Sequence, residues 1–218
     1  MRGKALVIIG LDLAGSPKRP TGFCILRGLR AETKNLFSDD EILAAIGETH
    51  PGLVAIDAPL HLPPGRSSIH ERNDSHYRPC DLELRRRKIP FFPITLGPMR
   101  GLTERGMRLR AELEGKRIRA VEMYPGGAQD LWGIPRAARD RKGLRLGLTK
   151  LGVKGLRTDC SAHELDAASG ALVGRLFLQG RAEVYGDFDS GAILMPPSGV
   201  SRGTGISCCP FCREGKSS

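Results

Sequence analysis

Four carboxylates stand in segments that otherwise carry apolar or small residues. They are Asp12 in Ile8-Ile9-Gly10-Leu11-Asp12-Leu13, Asp57 in Leu53-Val54-Ala55-Ile56-Asp57-Ala58-Pro59, Glu122 in Ala120-Val121-Glu122-Met123-Tyr124-Pro125, and Asp166 in Leu165-Asp166-Ala167-Ala168. A charge in such a setting is costly unless it is paired or binds a cation. Three of the acids also have a local alternative. Asp57 before Ala-Pro can form a turn, Glu122 can pair with a buried arginine, and Asp166 near a helix start can favour the helix dipole. If the chain gathers all four, they cannot all stay ionised without a cation. Carboxylate oxygens with few His or Cys nearby select hard ions such as Mg²⁺ or Mn²⁺. Two such ions about 3.5–4 Å apart activate a water and stabilise the leaving oxygen of a phosphodiester.

The elements that would position these acids follow from the pattern. Ala5–Leu11 is an apolar run that reads as a buried strand, with Asp12 at its carboxyl end. Thr21–Leu26 and Leu29–Leu36 read as a second and third strand in a meander. Ser38 with Glu41 is a capping box that opens a helix. The next apolar run, Leu53–Leu60, then follows a crossover and lies parallel to the first strand. In such sheets, sites form at the carboxyl ends of the strands. A third acid-bearing strand, Arg119–Pro125, ends in Pro-Gly-Gly. Ser161 and Glu164 form another capping box, from which a helix runs to about Gln179 with Gly180 at its end. On that helix Leu165, Leu172 and Leu176 form the core stripe, and His163, Asp166 and Gly170 share another face. Residues 61–118 read as an irregular insertion or cap, with an amphipathic helix over Thr103–Leu113. One domain over 1–196 and a Gly/Ser-rich, Cys-containing tail over 197–218 are expected.

The net charge of +10 is concentrated in two stretches. Residues 66–119 hold 14 basic and 7 acidic side chains, and residues 136–157 hold 8 and 1. Basic surface beside acidic strand ends suits a phosphate-backbone ligand. Arg85, Arg86, Arg87 and Lys88 are the candidate nucleic-acid contacts, a solvated helix face being the alternative. His163 could orient a water or touch a phosphate, and Ser16, in the turn after the first strand, is a further accessory candidate. The six cysteines are mostly scattered, which suits a reducing cytoplasm. Cys209 and Cys212 form a Cys-x-x-Cys, half of a zinc site; four ligands are needed, so zinc is not expected. No apolar run approaches the length of a membrane span, and no secretory leader is expected.

At these residues the sequence resembles the predicted RNase H-like nucleases catalogued as domain of unknown function 429. The matching segments are Gly10-Leu-Asp12-Leu-Ala-Gly15-Ser16, Ala55-Ile-Asp57-Ala-Pro59, Arg78-Pro-Cys80-Asp81, Val121-Glu122-Met-Tyr124-Pro125 and His163-Glu164-Leu-Asp166-Ala167-Ala168. The resemblance implies a mixed α/β sheet of about five strands flanked by helices. It also implies an acidic site of Asp12, Glu122 and Asp166 with Asp57 at its edge. The expected activity is metal-dependent phosphodiester hydrolysis of DNA or RNA. Two other readings use the same residues. An actin-like phosphotransferase or ATPase would use Gly10-Leu-Asp12 and the following turn to cradle phosphates, but it needs two copies of the sheet. A non-catalytic nucleic-acid-binding protein needs only the basic surface.

Overall fold

The structure, a computed structural model, describes residues 6–198. The alternation of Thr21–Arg27 and Arg30–Leu36 around a left-handed Gly28 makes β2 and β3 a hairpin, which continues β1 (Val7–Asp12) as an antiparallel meander. Helix α1 (Asp39–Thr49) then crosses over, and β4 (Leu53–Asp57) pairs parallel to β1. The expected capping box is formed: Ser38 Oγ accepts from the Glu41 N–H while Glu41 accepts from the Ser38 N–H. Next come α2 (Pro79–Arg86), α3 (Gly97–Gly115) and β5 (Ala120–Met123), which is parallel to β4. Then follow α4 (Pro125–Leu131), α5 (Arg141–Lys150), α6 (Ala162–Leu178), β6 (Glu183–Asp187) and β7 (Gly191–Met195).

The sheet order is β3-β2-β1-β4-β5-β7-β6. To the five-strand core it adds β7, parallel to β5, and β6, antiparallel at the edge. One face is covered by α6 with α5 and α4, burying Ile8, Leu26, Leu144, Leu165 and Val173. The other is covered by α1 and α3, burying Ile9, Ile42, Val54, Leu109 and Leu113. A smaller cluster under α2 holds Cys80, Leu84 and Tyr185 against β6 and β7. The segment expected as an irregular insertion is irregular on either side of α2, and its α3 is a full layer of the core. Among the described residues no helix is long and apolar enough to cross a membrane.

One element runs against the sequence pattern. Pro125-Gly126-Gly127 reads as a strand-ending turn, yet Pro125 is the first residue of α4. Proline suits that position, because its missing N–H would lack an intrahelical partner anyway. A Cβ on Gly127 would lie within 2.8 Å of both Met195 and Tyr124, so tight packing against β7 explains the second glycine.

Candidate acidic site

Parallel pairing of β1 and β4 sets Asp12 directly beside Asp57 at the carboxyl edge of the sheet. The third acid comes from α6, and two glycines let that helix approach. A Cβ on Gly10 would stand 1.9 Å from the Ala167 carbonyl oxygen, and one on Gly22 would stand 1.9 Å from the His163 carbonyl oxygen. Only glycine permits so close a contact between helix backbone and strand. The helix start is also fastened to β3. Glu164 closes the capping box with Ser161 and accepts from Thr33 Oγ1 at 2.8 Å and from Arg157 at 2.8 Å. The first turn of α6 therefore lies over the ends of β1 and β2, and it carries His163 and Asp166 to Asp12.

His163 Nδ1 donates to Asp12 Oδ2 at 2.6 Å. This bond holds the imidazole above its ordinary range against the opposing effect of burial. Asp166 Oδ1 accepts from Gln129 Nε2 at 2.7 Å, and the same amide donates to Ser169 Oγ. Burial first, and then the Asp12 charge, push Asp166 up to about 7. Asp57 is driven well above the carboxylate range by burial, by the charges of Asp12, Asp166 and Glu122, and by a hydrogen bond shared with Asp12. Three aspartates thus meet, and among the described residues His163 is their one cationic neighbour in direct contact. Like charges held this close retain protons unless a cation replaces them.

Glu122 is not part of that arrangement. Arg78, buried to 1% exposure, forks onto it: Nη1 donates to Oε2 at 2.6 Å and Nη2 to Oε1 at 2.8 Å. Glu122 Oε2 also accepts from the Leu60 N–H at 2.9 Å, and Arg78 grips Asp81 through Nε and Nη2. Both Glu122 oxygens therefore accept from Arg78, and Oε2 from the Leu60 amide as well. Burial raises the Glu122 carboxyl while Arg78 and the Leu60 amide oppose the rise. The Glu122–Arg78–Asp81 network ties β5 to the start of α2 and to the chain just after Asp57. Asp57, expected at the edge of the site, lies directly beside Asp12.

The other candidates separate. Ser16 Oγ accepts the Lys18 N–H at 3.3 Å, a bond local to its own turn. Arg86 and Arg87 pair with Glu83, and Arg87 also reaches Glu183 and stacks on Tyr185, so both are engaged within the protein. Arg85 and Lys88 line an open groove instead. Cys209 and Cys212 lie outside the described residues. Sequence reasoning missed Gln129, because Pro-Gly-Gly concealed the helix that carries it. It also passed over Arg78, whose signal was the Arg-Pro-Cys-Asp segment with an acid placed to cap the helix.

The donor set at the aspartates is carboxylate oxygen, which suits a hard divalent cation. Among the described residues, no three His, Cys, Asp or Glu side chains already stand in metal-holding geometry. Acid-bearing strands β1 and β4 in the order β3-β2-β1-β4-β5, with an acid-bearing helix across them, form the mixed α/β arrangement that the family resemblance leads one to expect. The profile of the family described as "Protein of unknown function (DUF429)" matches residues 10–190, and the chain belongs to that family. No curated protein matches the chain. Among solved structures it is similar to "T. thermophilus RuvC in complex with Holliday junction substrate". The two are 13% identical with a TM-score of 0.43, over 80% of this chain and 96% of that one.

Proposed function

We propose that this protein is a divalent-metal-dependent nuclease that hydrolyses phosphodiesters of nucleic acid at Asp12, Asp57 and Asp166. One contrast carries the reading. The buried acids Glu122, Asp81 and Glu164 each have an arginine partner, whereas the three aspartates repel one another and, among the described residues, have no Lys or Arg in ion-pair contact. Folding does not require such a cluster, and its repulsion costs stability.

Asp12, Asp57 and Asp166 would hold the Mg²⁺ or Mn²⁺. The ion supplies charge for the attacking water and the leaving oxygen. The chain's own groups set the stage. His163 fixes one oxygen of Asp12 and leaves Nε2 without a partner among the described residues, free to contact a phosphate. Gln129 holds Asp166 in one rotamer, and the Arg78–Glu122 pair anchors the Leu60 amide three residues beyond Asp57. These second contacts keep the carboxylates aimed, as orienting partners do in metal sites generally.

The test is hydrolysis of labelled DNA and RNA with Mn²⁺ or Mg²⁺. Activity should vanish in EDTA and in Asp12→Asn, Asp57→Asn and Asp166→Asn. Cleavage that survives Asp12→Asn would rule the site out.

A further inference from the structure

Beside Asp57 the structure has a cavity of about 190 Å³ whose walls include Phe91, Phe92, Met99, Leu102 and Tyr124. It lies between the end of β4 and the loop that joins α2 to α3. Tyr124 OH donates to the Pro90 carbonyl at 2.7 Å, which ties this loop to the end of β5. Phe92 stands 72% exposed, a large ring that the core does not use. A second groove of about 410 Å³ adjoins the cavity and shares Phe91 with it. Tyr77, Arg85 and Lys88 line that groove. The Arg85 guanidinium lies 5.7 Å over the Tyr77 ring, and Tyr77 meets Phe91 edge-on at 6.2 Å. Arg85 and Lys88 form no ion pair among the described residues, in contrast to Arg86 and Arg87.

A cationic groove with interleaved aromatics that leads into an apolar cavity is the combination that tracks a phosphate backbone while stacking bases. The cavity is smaller than a drug-sized site, which takes about 300–1,000 Å³; it suits one ring system. Asp57 is among its lining residues, so an occupant would adjoin the acidic cluster. We infer that the two concavities form a single-strand channel, in which Arg85, Lys88 and Tyr77 hold the backbone and one unstacked nucleobase enters the cavity beside Asp57. The inference rests on the nuclease reading and narrows its substrate class to single-stranded or unpaired nucleic acid. A base within a duplex is stacked and paired, and extruding it costs a few kcal/mol.

The experiment uses the full chain in EDTA, so that no strand is cut. A fluorescein-labelled oligodeoxythymidylate of about 12 nucleotides and the corresponding duplex are titrated by anisotropy. The single strand should bind more tightly. Phe92→Ala should weaken single-strand binding about 5- to 100-fold, the range for loss of one stacked base, and leave duplex binding unchanged. Arg85→Ala and Lys88→Ala should each lower the salt slope on single strands by about 0.7. Phe92 is exposed, so its truncation removes no core contact, and an unchanged melting temperature checks that. Equal affinity for both forms, no binding, or a Phe92→Ala variant that binds like the wild type overturns the channel. A second arm with Mn²⁺ separates the two claims. Phe92-dependent strand binding without cleavage refutes the nuclease and supports the channel. Equal cleavage of strand and duplex, indifferent to Phe92→Ala, does the reverse.

Discussion

Replacing Asp166 by Asn removes one repelling charge and keeps a hydrogen bond, because the Asn carbonyl can still accept from Gln129 Nε2. In the folded protein Asp166 holds its proton up to about 7, against an ordinary 3.8. Between those values the native state binds a proton that the unfolded chain has released. Stability therefore falls as pH rises through that window, with the full cost present above about 7. Three units correspond to on the order of 4 kcal/mol. Burial is the largest cause of the rise and the Asp12 charge the next; water reaching this partly exposed carboxyl weakens both, so about 2 kcal/mol is a fair expectation. For a protein of this size that is about 4–8 °C in melting temperature. Without divalent ions, Asp166→Asn should thus melt about 4–8 °C above the wild type at pH 8, with the gap shrinking toward pH 4.5. Adding Mn²⁺ should raise the wild type and leave the variant in place, since only the native acidic cluster binds the ion. Thermal unfolding by circular dichroism across pH 4.5–8, in EDTA and then in Mn²⁺, reads both effects. A variant less stable than the wild type at pH 8, or a gap that does not change with pH, would refute the repulsion argument.

Arg78→Ala should destabilise the protein by about 3–5 kcal/mol in denaturant unfolding, because it strands the buried Glu122 and Asp81 without their cation. Glu122→Gln should lower stability and leave the stoichiometry of Mn²⁺ binding in calorimetry unchanged. Asp57→Asn should show the opposite pattern, folded but with weakened binding. Gly22→Ala should cost more than the 1–3 kcal/mol typical of overpacking, since a methyl there meets the His163 carbonyl; the loss of any cleavage should follow the displacement of α6. Cys24 and Cys80 are buried thiols held well above their ordinary range, and they should resist a thiol reagent until the protein is unfolded.

Local chemistry sufficed for much of the architecture. The apolar run before Asp12, the hairpin after it, the two capping boxes and the run ending at Asp57 are patterns of period and end-signal, and the strands and helices formed there. The same patterns placed Asp12 and Asp57 at strand ends and put His163 and Asp166 on one face of a helix. The resemblance to the family rested on these segments too. The partner of each acid was not legible, because partners are set by contacts between residues far apart in the chain. Glu122 and Asp57 look alike in sequence, each an acid in a short apolar strand before a proline. Arg78, 44 positions away from Glu122, neutralises it, whereas Asp57 faces Asp12 across a parallel register and has no ion pair with a cation among the described residues. Gln129 stayed hidden because proline at a helix start and proline in a turn read the same until packing decides between them. The sequence thus determined which acids reach the edge of the sheet. Tertiary structure decided which of them are neutralised by arginine and which stay clustered together, because charge pairing depends on distance in space and not on position along the chain.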